Sequence, residues 1–158
     1  MAGDAFAEPR RSREPHVIFA PERRPVLLAV VAGGGLIGSL ARVGVAELLP
    51  PSAGGMPWGT LVANLSGSFA LAVVAVALVE RGRPRPYARL FLGVGAIGGY
   101  TTFSTLMVET DRLVRGGSTG TAAAYLVGTV AAGLAASWAG LTVGRALPKL
   151  TLHRQERR

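Results

Sequence analysis

The chain has 158 residues, of which 49% are hydrophobic and only 16% are charged, and its formal net charge is +8 at pH 7. A soluble domain usually carries about 25% charged residues, whereas the charges here gather at the two ends and in short connections between long apolar stretches. This layout indicates an integral membrane protein. Because the arginines flank apolar segments, we expect no nucleic-acid partner, and the absence of cysteine excludes disulfides and thiolate metal sites.

Four apolar stretches follow one another along the chain, each near the roughly 20 residues that cross a hydrocarbon core. They cover residues 26–49, 58–79, 87–108 and 121–147. The connections between them are the proline-rich residues 50–57, the basic residues 80–86 and the polar residues 109–120. The sequence therefore predicts an all-α integral membrane protein with four transmembrane helices.

The membrane domain is predicted over residues 26–147, with a disordered basic tail at 1–25 and a second basic tail at 148–158. Fourteen of the 17 Lys and Arg residues lie on one side: 12 in the two tails and in the connection between the second and third stretches, and Arg89 and Arg145 at the adjoining ends of the third and fourth stretches. Only Arg112 and Arg115 lie on the opposite side of the membrane in this layout. The positive-inside rule then predicts a multi-pass protein of the plasma membrane with both termini in the cytoplasm.

The third stretch contains Gly98 and Gly99, followed by Tyr100 and then by Thr-Thr-Phe-Ser-Thr at residues 101–105. These residue types disfavour a helix, so we expect the third helix to be broken at mid-membrane. Carbonyls freed at that depth must be buried in protein or coordinate an ion, and carbonyl and hydroxyl oxygens suit an alkali cation. The alternative is a kinked helix whose hydroxyls bond back to the preceding turn.

Other polar residues in the apolar stretches also have candidate roles, and two of them, Asn64 and Arg42, have two interpretations each. The amide N–H groups of Asn64 could replace water around an anion, or the side chain could join two helices by a hydrogen bond. Arg42 either extends to the outer interface or forms an anion-attracting mouth. Tyr125 and Thr129 share one helical face and could form a hydrogen-bonding track.

Three pairs of glycines have the spacing that lets helix backbones approach closely in lipid, and we predict a packing role for them. The pairs are Gly34 with Gly38, Gly95 with Gly99, and Gly140 with Gly144. No carboxylate pair, histidine or metal-ligand cluster lies within the apolar stretches. We therefore expect the protein not to be an enzyme.

Taken together, three segments resemble the Fluc (CrcB) family of fluoride channels. They read GGLIGSLAR at residues 34–42, GTLVANLSGSF at 59–69 and GGYTTFST at 98–105, with Glu109 after them. The resemblance spans about residues 26–147. It implies a fluoride-selective channel that exports fluoride passively across the cell membrane, relieves fluoride toxicity and works as an antiparallel dimer of four-helix subunits with two pores.

The resemblance also implies roles for particular residues. A structural sodium ion would lie at the dimer centre, held by the backbone carbonyls of Gly98 and Thr101. Phe103 would present the positive edge of its ring to fluoride, and Arg42 would serve the vestibule. The full set implied for the ion pathway is Asn64, Phe103, Thr102, Ser104, Tyr125, Thr129, Arg42 and Glu109.

Two positions depart from the family pattern. Leu106 stands where a second phenylalanine is expected, and Gly133 stands where a further hydroxyl is expected one turn after Thr129. Both departures would weaken a pore built from this subunit alone. Because an antiparallel pair of one sequence needs Lys and Arg balanced across the membrane, the charge bias predicts a homologous partner subunit, with a homodimer as the alternative.

Two other functions stay open. A small four-helix drug/proton antiporter would need a carboxylate embedded in the membrane, and the nearest acidic residues are all expected at helix ends. They are Glu47, Glu80, Glu109 and Asp111. The departures at Leu106 and Gly133 also allow a non-conducting partner subunit of a heterodimeric channel.

Overall fold

The computed structural model describes residues 24–52, 54–80 and 86–147, and these ranges are all-helical apart from their connections. Helix α1 spans Arg24–Leu48, and α2 spans Trp58–Ala75 with a π-helical continuation over Val76–Glu80. The third span begins with α3, which comprises Pro86–Ala88, the π-helical stretch Arg89–Ile97 and Gly98–Tyr100. It continues as α4, Phe103–Arg115, and the last helix, α5, is Thr119–Ala146.

Among the described residues, four segments are long and apolar enough to cross a membrane, which confirms the prediction of four such helices. They are Arg24–Leu48, Trp58–Leu78, Pro86–Arg115 and Thr119–Ala146. The predicted C-terminal tail, nearly all of the predicted N-terminal tail and the basic residues 81–85 lie outside the described residues.

The third span extends further than the sequence predicted, because the predicted polar loop at 109–120 is helical as far as Arg115. Leu106 and Leu113, two turns apart, are buried on one face of α4. On the exposed face, Arg115 forms an ion pair with Asp111 at 2.7 Å. The prediction was wrong because the polar residues mark one side of an amphipathic helix, not a loop.

The third span is interrupted between α3 and α4. Thr101 and Thr102 are both extended, with φ and ψ of −83° and 155° and of −151° and 124° respectively. The interruption falls within the segment where the sequence predicted a break. Its position at mid-membrane stays a prediction.

The glycine pairs lie where helix backbones meet. A Cβ atom added at Gly95 would lie 2.7 Å from the Val31 carbonyl oxygen and 2.9 Å from the Gly34 Cα, so α1 and α3 touch backbone to backbone. On α5, a Cβ atom at Gly140 would lie 2.8 Å from the Cβ of Ala72 on α2. Both interfaces leave no space for a methyl group, which supports the predicted packing role.

Candidate ion pathway

The side chain of Asn64 ties the interruption of the third span to α2. Its Nδ2 donates to the Thr102 carbonyl at 2.9 Å, and its Oδ1 accepts from the Thr102 backbone N–H at 2.8 Å. The side-chain amide thus satisfies both polar groups of one extended residue. This bonding fits the interhelical interpretation of Asn64, and it still leaves one Nδ2 hydrogen for a further acceptor.

The backbone carbonyls of Gly98 and Thr101 are among those that lose their helical donors at the interruption. In an unbroken helix the N–H of Thr102 would donate to the Gly98 carbonyl, and the N–H of Thr105 would donate to the Thr101 carbonyl. Here the first N–H donates to Asn64, and the second donates to the Thr102 hydroxyl at 3.2 Å. The released carbonyls of Gly98 and Thr101 are the two that the resemblance assigns to sodium.

The hydroxyls around the interruption mostly hold the chain itself. The Thr102 hydroxyl caps α4 by accepting from the Thr105 N–H, and it lies 3.0 Å from Thr105 Oγ1 and 3.2 Å from Ser104 Oγ. The Thr101 hydroxyl donates to the Ile97 carbonyl at 3.0 Å, as the kinked-helix alternative expected. The interruption therefore combines a chain break with one hydroxyl bonded back to the preceding turn.

Arg42 on α1 contacts the third span just before its interruption. Its Nε donates to the Gly99 carbonyl at 3.2 Å, and Ser39 lies one turn earlier with its hydroxyl 3.5 Å from the same oxygen. A half-buried guanidinium bound to a backbone carbonyl is held in place more firmly than a side chain that extends freely to the interface. The predicted role of Arg42 in a vestibule stays a prediction.

Glu109 lies inside α4, six residues before its end, and not at a helix end as the sequence suggested. Its Oε1 accepts from Thr60 Oγ1 at 3.0 Å, and its Oε2 accepts from Tyr125 Oη at 2.5 Å. The carboxylate therefore joins α2, α4 and α5. Tyr125 is fully buried and Thr60 is 7% exposed, so the cluster is an internal one.

An open groove of about 370 Å³ lies beside the interruption, between α2, α4 and α5. Its polar and aromatic lining comes from Asn64, Ser68, Thr101, Thr102, Phe103, Thr129 and Ser137. Among its other lining residues are the two that depart from the family pattern, Leu106 and Gly133. The ring of Phe103 is 70% exposed at the groove.

The groove brings together half of the residues that the sequence proposed for the ion pathway. Asn64, Thr102, Phe103 and Thr129 line it. Tyr125 and Glu109 lie in the internal cluster, Ser104 lies beside the Thr102 cap, and Arg42 contacts the far side of the interruption. The predicted roles of all eight residues in conduction stay predictions.

The predicted hydrogen-bonding track on α5 is occupied by bonds within the protein. Tyr125 donates its hydroxyl hydrogen to Glu109, and Thr129 donates its own to the Tyr125 carbonyl at 2.6 Å. The sequence showed Ser68 near Asn64, but neither Ser68 nor Ser137 was assigned to the ion pathway. Their spacing was a usable signal, because Ser68 follows Asn64 by four residues and Ser137 follows Gly133 by four.

Metal ligands of the usual side-chain kind do not gather in this region. Within residues 24–52, 54–80 and 86–147, no three His, Cys, Asp or Glu side chains are placed to hold a metal ion. A cation bound here would rely on backbone and hydroxyl oxygens, such as the released carbonyls of Gly98 and Thr101.

Comparison with known proteins shows similarity over most of the chain. Residues 29–141 match a family model described as CrcB-like protein, Camphor Resistance (CrcB). A Fluoride-specific ion channel FluC of Thermus thermophilus is 44% identical over 119 residues, which are 75% of this chain and 94% of that relative. Fluoride-specific ion channel FluC 1 of Cutibacterium acnes is 43% identical over 120 residues, 74% of this chain and 84% of the relative.

A third relative is longer than this chain. Fluoride-specific ion channel FluC 3 of Streptomyces avermitilis is 43% identical over 127 residues, which are 80% of this chain. The matched region spans 62% of that relative's length. All three relatives carry names that describe ion channels.

Proposed function

The chain belongs to the CrcB family, and on that premise we propose that it is a subunit of a fluoride-selective channel that exports fluoride passively and relieves fluoride toxicity. The membership confirms the resemblance found in the sequence, and the protein is a multi-pass membrane protein and not an enzyme. We place it in the plasma membrane with both termini in the cytoplasm, on the strength of its charge bias.

The observation that carries the proposal is the lining of the groove. It collects an amide, several hydroxyls and the exposed ring of Phe103, and no Lys, Arg, Asp or Glu side chain of the described residues lines it. Such donors can replace part of the water around a compact anion, and an aromatic edge is the positive part of the ring quadrupole. Conduction also requires binding that is weak enough for the ion to leave, and neutral donors suit that requirement.

Growth of fluoride-sensitive bacteria tests the proposal. Cells without a fluoride exporter of their own would express the chain, alone or together with a homologous subunit from the same genome. We expect growth in fluoride and low internal fluoride in at least one of the two cases. Cells that accumulate fluoride equally with and without the protein, in both cases, would contradict the proposal.

We further propose that the carbonyls of Gly98 and Thr101 hold a structural sodium ion. The support is the bonding at the interruption, where both carbonyls lose their helical donors and become available as hard oxygen ligands. When bound, sodium would supply positive charge that neutralises these carbonyl dipoles. The extended backbone at Thr101 sets the direction of its oxygen, whereas Gly98 keeps a helical conformation.

For the partner, we propose a homologous subunit in the opposite orientation. Fourteen Lys and Arg residues on one side against two on the other favour a single orientation for this chain. Copies that share one orientation cannot form an antiparallel pair. Topology reporters at the C-terminus would test this step. If copies of the chain insert in both orientations, a homodimer becomes the better explanation.

The two alternative functions differ in their support. The position of Glu109 no longer argues against a drug/proton antiporter, but its carboxylate is engaged by two hydroxyl donors. Leu106 and Gly133 both line the groove, which favours a non-conducting partner subunit as the second candidate. Flux through the single purified subunit separates that candidate from a self-sufficient channel.

A further inference from the structure

Two serines in the groove have hydroxyls without a hydrogen-bond partner among the described residues. Ser68 on α2 and Ser137 on α5 both line the groove and are half-buried. Within the part of the chain that the structure describes, neither hydroxyl forms a hydrogen bond. A serine that faces a cavity without a partner is available to bind a ligand there.

The two serines differ in this respect from most other hydroxyl residues of the same helices. Ser66 on α2 donates to the Val62 carbonyl at 2.6 Å, and Thr142 on α5 donates to the Ala139 carbonyl at 2.8 Å. Bonding back to the preceding turn is the usual arrangement for a hydroxyl within a helix. Ser68 and Ser137 depart from it, and both do so at the groove.

The other donors of the groove are largely committed to the protein. The Thr129 hydroxyl donates to the Tyr125 carbonyl, the Thr102 hydroxyl donates to Thr105, and one of the two Nδ2 hydrogens of Asn64 is bound to the Thr102 carbonyl. An anion needs hydrogens and not oxygen lone pairs. Among the described residues, the free side-chain donors in the groove are therefore the remaining hydrogen of Asn64 and the two serine hydroxyls.

Both serines are close to Gly133, where the family pattern expects a hydroxyl. A Cβ atom added at Gly133 would lie 3.8 Å from Ser68 Oγ, so this hydroxyl occupies the space beside the glycine. Ser137 follows Gly133 by one helical turn on the same face of α5. Two serine hydroxyls therefore lie near the position where the family pattern expects a hydroxyl.

We propose that Ser68 and Ser137 bind fluoride in the groove and take the place of the hydroxyl that is missing at Gly133. The inference rests on the proposed function, because it names further residues of the same pathway. The proposal adds two hydroxyl donors to the predicted Tyr125 and Thr129: Ser68 from α2 and Ser137 from α5.

Removal of the hydroxyls tests the proposal through transport. In purified full-length protein, or in the complex with its partner if one is needed, Ser68→Ala with Ser137→Ala should slow fluoride release about tenfold or more. Thr142→Ala removes a hydroxyl of α5 outside the groove and should leave release unchanged. Gly133→Ser, added to the double alanine variant, should restore part of the loss, because a Cβ atom at residue 133 has room in the groove.

Chemical labelling tests the same proposal without transport, because the chain has no cysteine of its own. Ser68→Cys and Ser137→Cys should react with a small water-soluble methanethiosulfonate reagent, and sodium fluoride should slow the reaction several-fold while sodium chloride should not. The control is Ala135→Cys, which is exposed on the opposite face of α5 and should react slowly inside a membrane.

The outcomes separate this inference from the proposed function. If wild-type protein moves no fluoride in any pairing, the proposed function fails, and fluoride protection of the two cysteines still decides the binding question. If both cysteines react no faster than the control, or react without protection by fluoride, the inference is wrong. Release that is unchanged in the double alanine variant of a conducting wild type also overturns it.

Discussion

Helices α2 and α5 lie side by side, but the two ends of their contact differ. At one end Gly140 and Gly144 face Ala72 and Val76 so closely that a methyl group at Gly140 has no room. At the other end Gly133 faces an open groove, and a methyl group there would make only ordinary contact. The role of a glycine in a membrane helix therefore depends on what lies opposite it. At one end of this contact glycine allows the two helices to pack closely, and at the other end it leaves the groove open.

The largest expected effect concerns the open end, where Asn64 holds the interruption of the third span. Asn64→Asp replaces the Nδ2 donor with a carboxylate oxygen, which faces the Thr102 carbonyl and repels any anion in the groove. Repulsion between unit charges about 4 Å apart is on the order of 4 kcal/mol near a protein surface. Fluoride release should fall by at least about a hundredfold.

Asn64→Ala distinguishes the loss of the hydrogen bonds to Thr102 from the charge repulsion that Asn64→Asp adds. It removes the hydrogen bonds to Thr102 without adding charge and should cost about 1–3 kcal/mol of stability. Thermal melting in detergent and fluoride release would be measured for both variants. Equal transport by Asn64→Asp and wild type would mean that the groove is not the pathway.

The second prediction concerns the aromatic ring at the same end. Phe103→Ile keeps an apolar side chain and deletes the ring edge; aromatic pairs that use the same ring quadrupole gain about 0.5–1.5 kcal/mol, and we expect an effect of that order. Release should therefore slow by about three- to tenfold, with unchanged elution on gel filtration. Phe69→Ile is the matched control, because Phe69 lies on α2 outside the groove. Slowing of equal size in both variants would remove the argument for ring-edge binding.

A pair of glycine substitutions compares the two ends directly. Gly140→Ala should destabilise the fold by about 1–3 kcal/mol, because its Cβ would lie 2.8 Å from Ala72 Cβ. Gly133→Ala should be neutral, or stabilising by up to about 1 kcal/mol through helix propensity. Melting temperatures of the two variants give the answer. If they shift alike, the close contact at Gly140 has no energetic role.

The spans and the glycine contacts could be predicted from sequence because hydropathy and four-residue spacing report on them directly. The end of the third span could not be predicted in the same way. Glu109 and Asp111 make residues 109–115 polar, and only the burial of Leu106 and Leu113 against the rest of the fold shows the amphipathic helix. A short sequence segment shows how polar its residues are. Which side of the helix packs against the protein depends on helices that are distant in the chain.

The candidate site was predictable by residue type and less so by bonding. Asn64, Thr102 and Phe103 were found from their motifs, and they line one groove. That Thr129 and Tyr125 donate to other groups of the protein depends on the rotation of each hydroxyl and on a carboxylate 16 residues away. Sequence spacing cannot determine which hydroxyls remain free, and for that reason Ser68 and Ser137 were missed.

The smallest effect is expected at the closed end, where Arg145 of α5 binds Glu80 beyond the glycine contacts. The two side chains share two hydrogen bonds, at 2.9 and 3.1 Å, but both are largely exposed. Exposed ion pairs contribute little to stability and are screened by salt. Arg145→Gln should leave the melting temperature and the rate of fluoride release nearly unchanged. A large decrease in either quantity would show that this ion pair contributes to stability or transport.

The central claim is that this protein conducts fluoride selectively, and ion release from liposomes tests it most directly. Vesicles containing the purified protein, with its partner subunit where one is required, would be loaded with potassium fluoride or potassium chloride, and a potassium ionophore would supply the balancing cation current. Ion-selective electrodes would follow each anion. The account predicts rapid release of fluoride with chloride retained, whereas release of both anions at similar rates, or of neither, would contradict it.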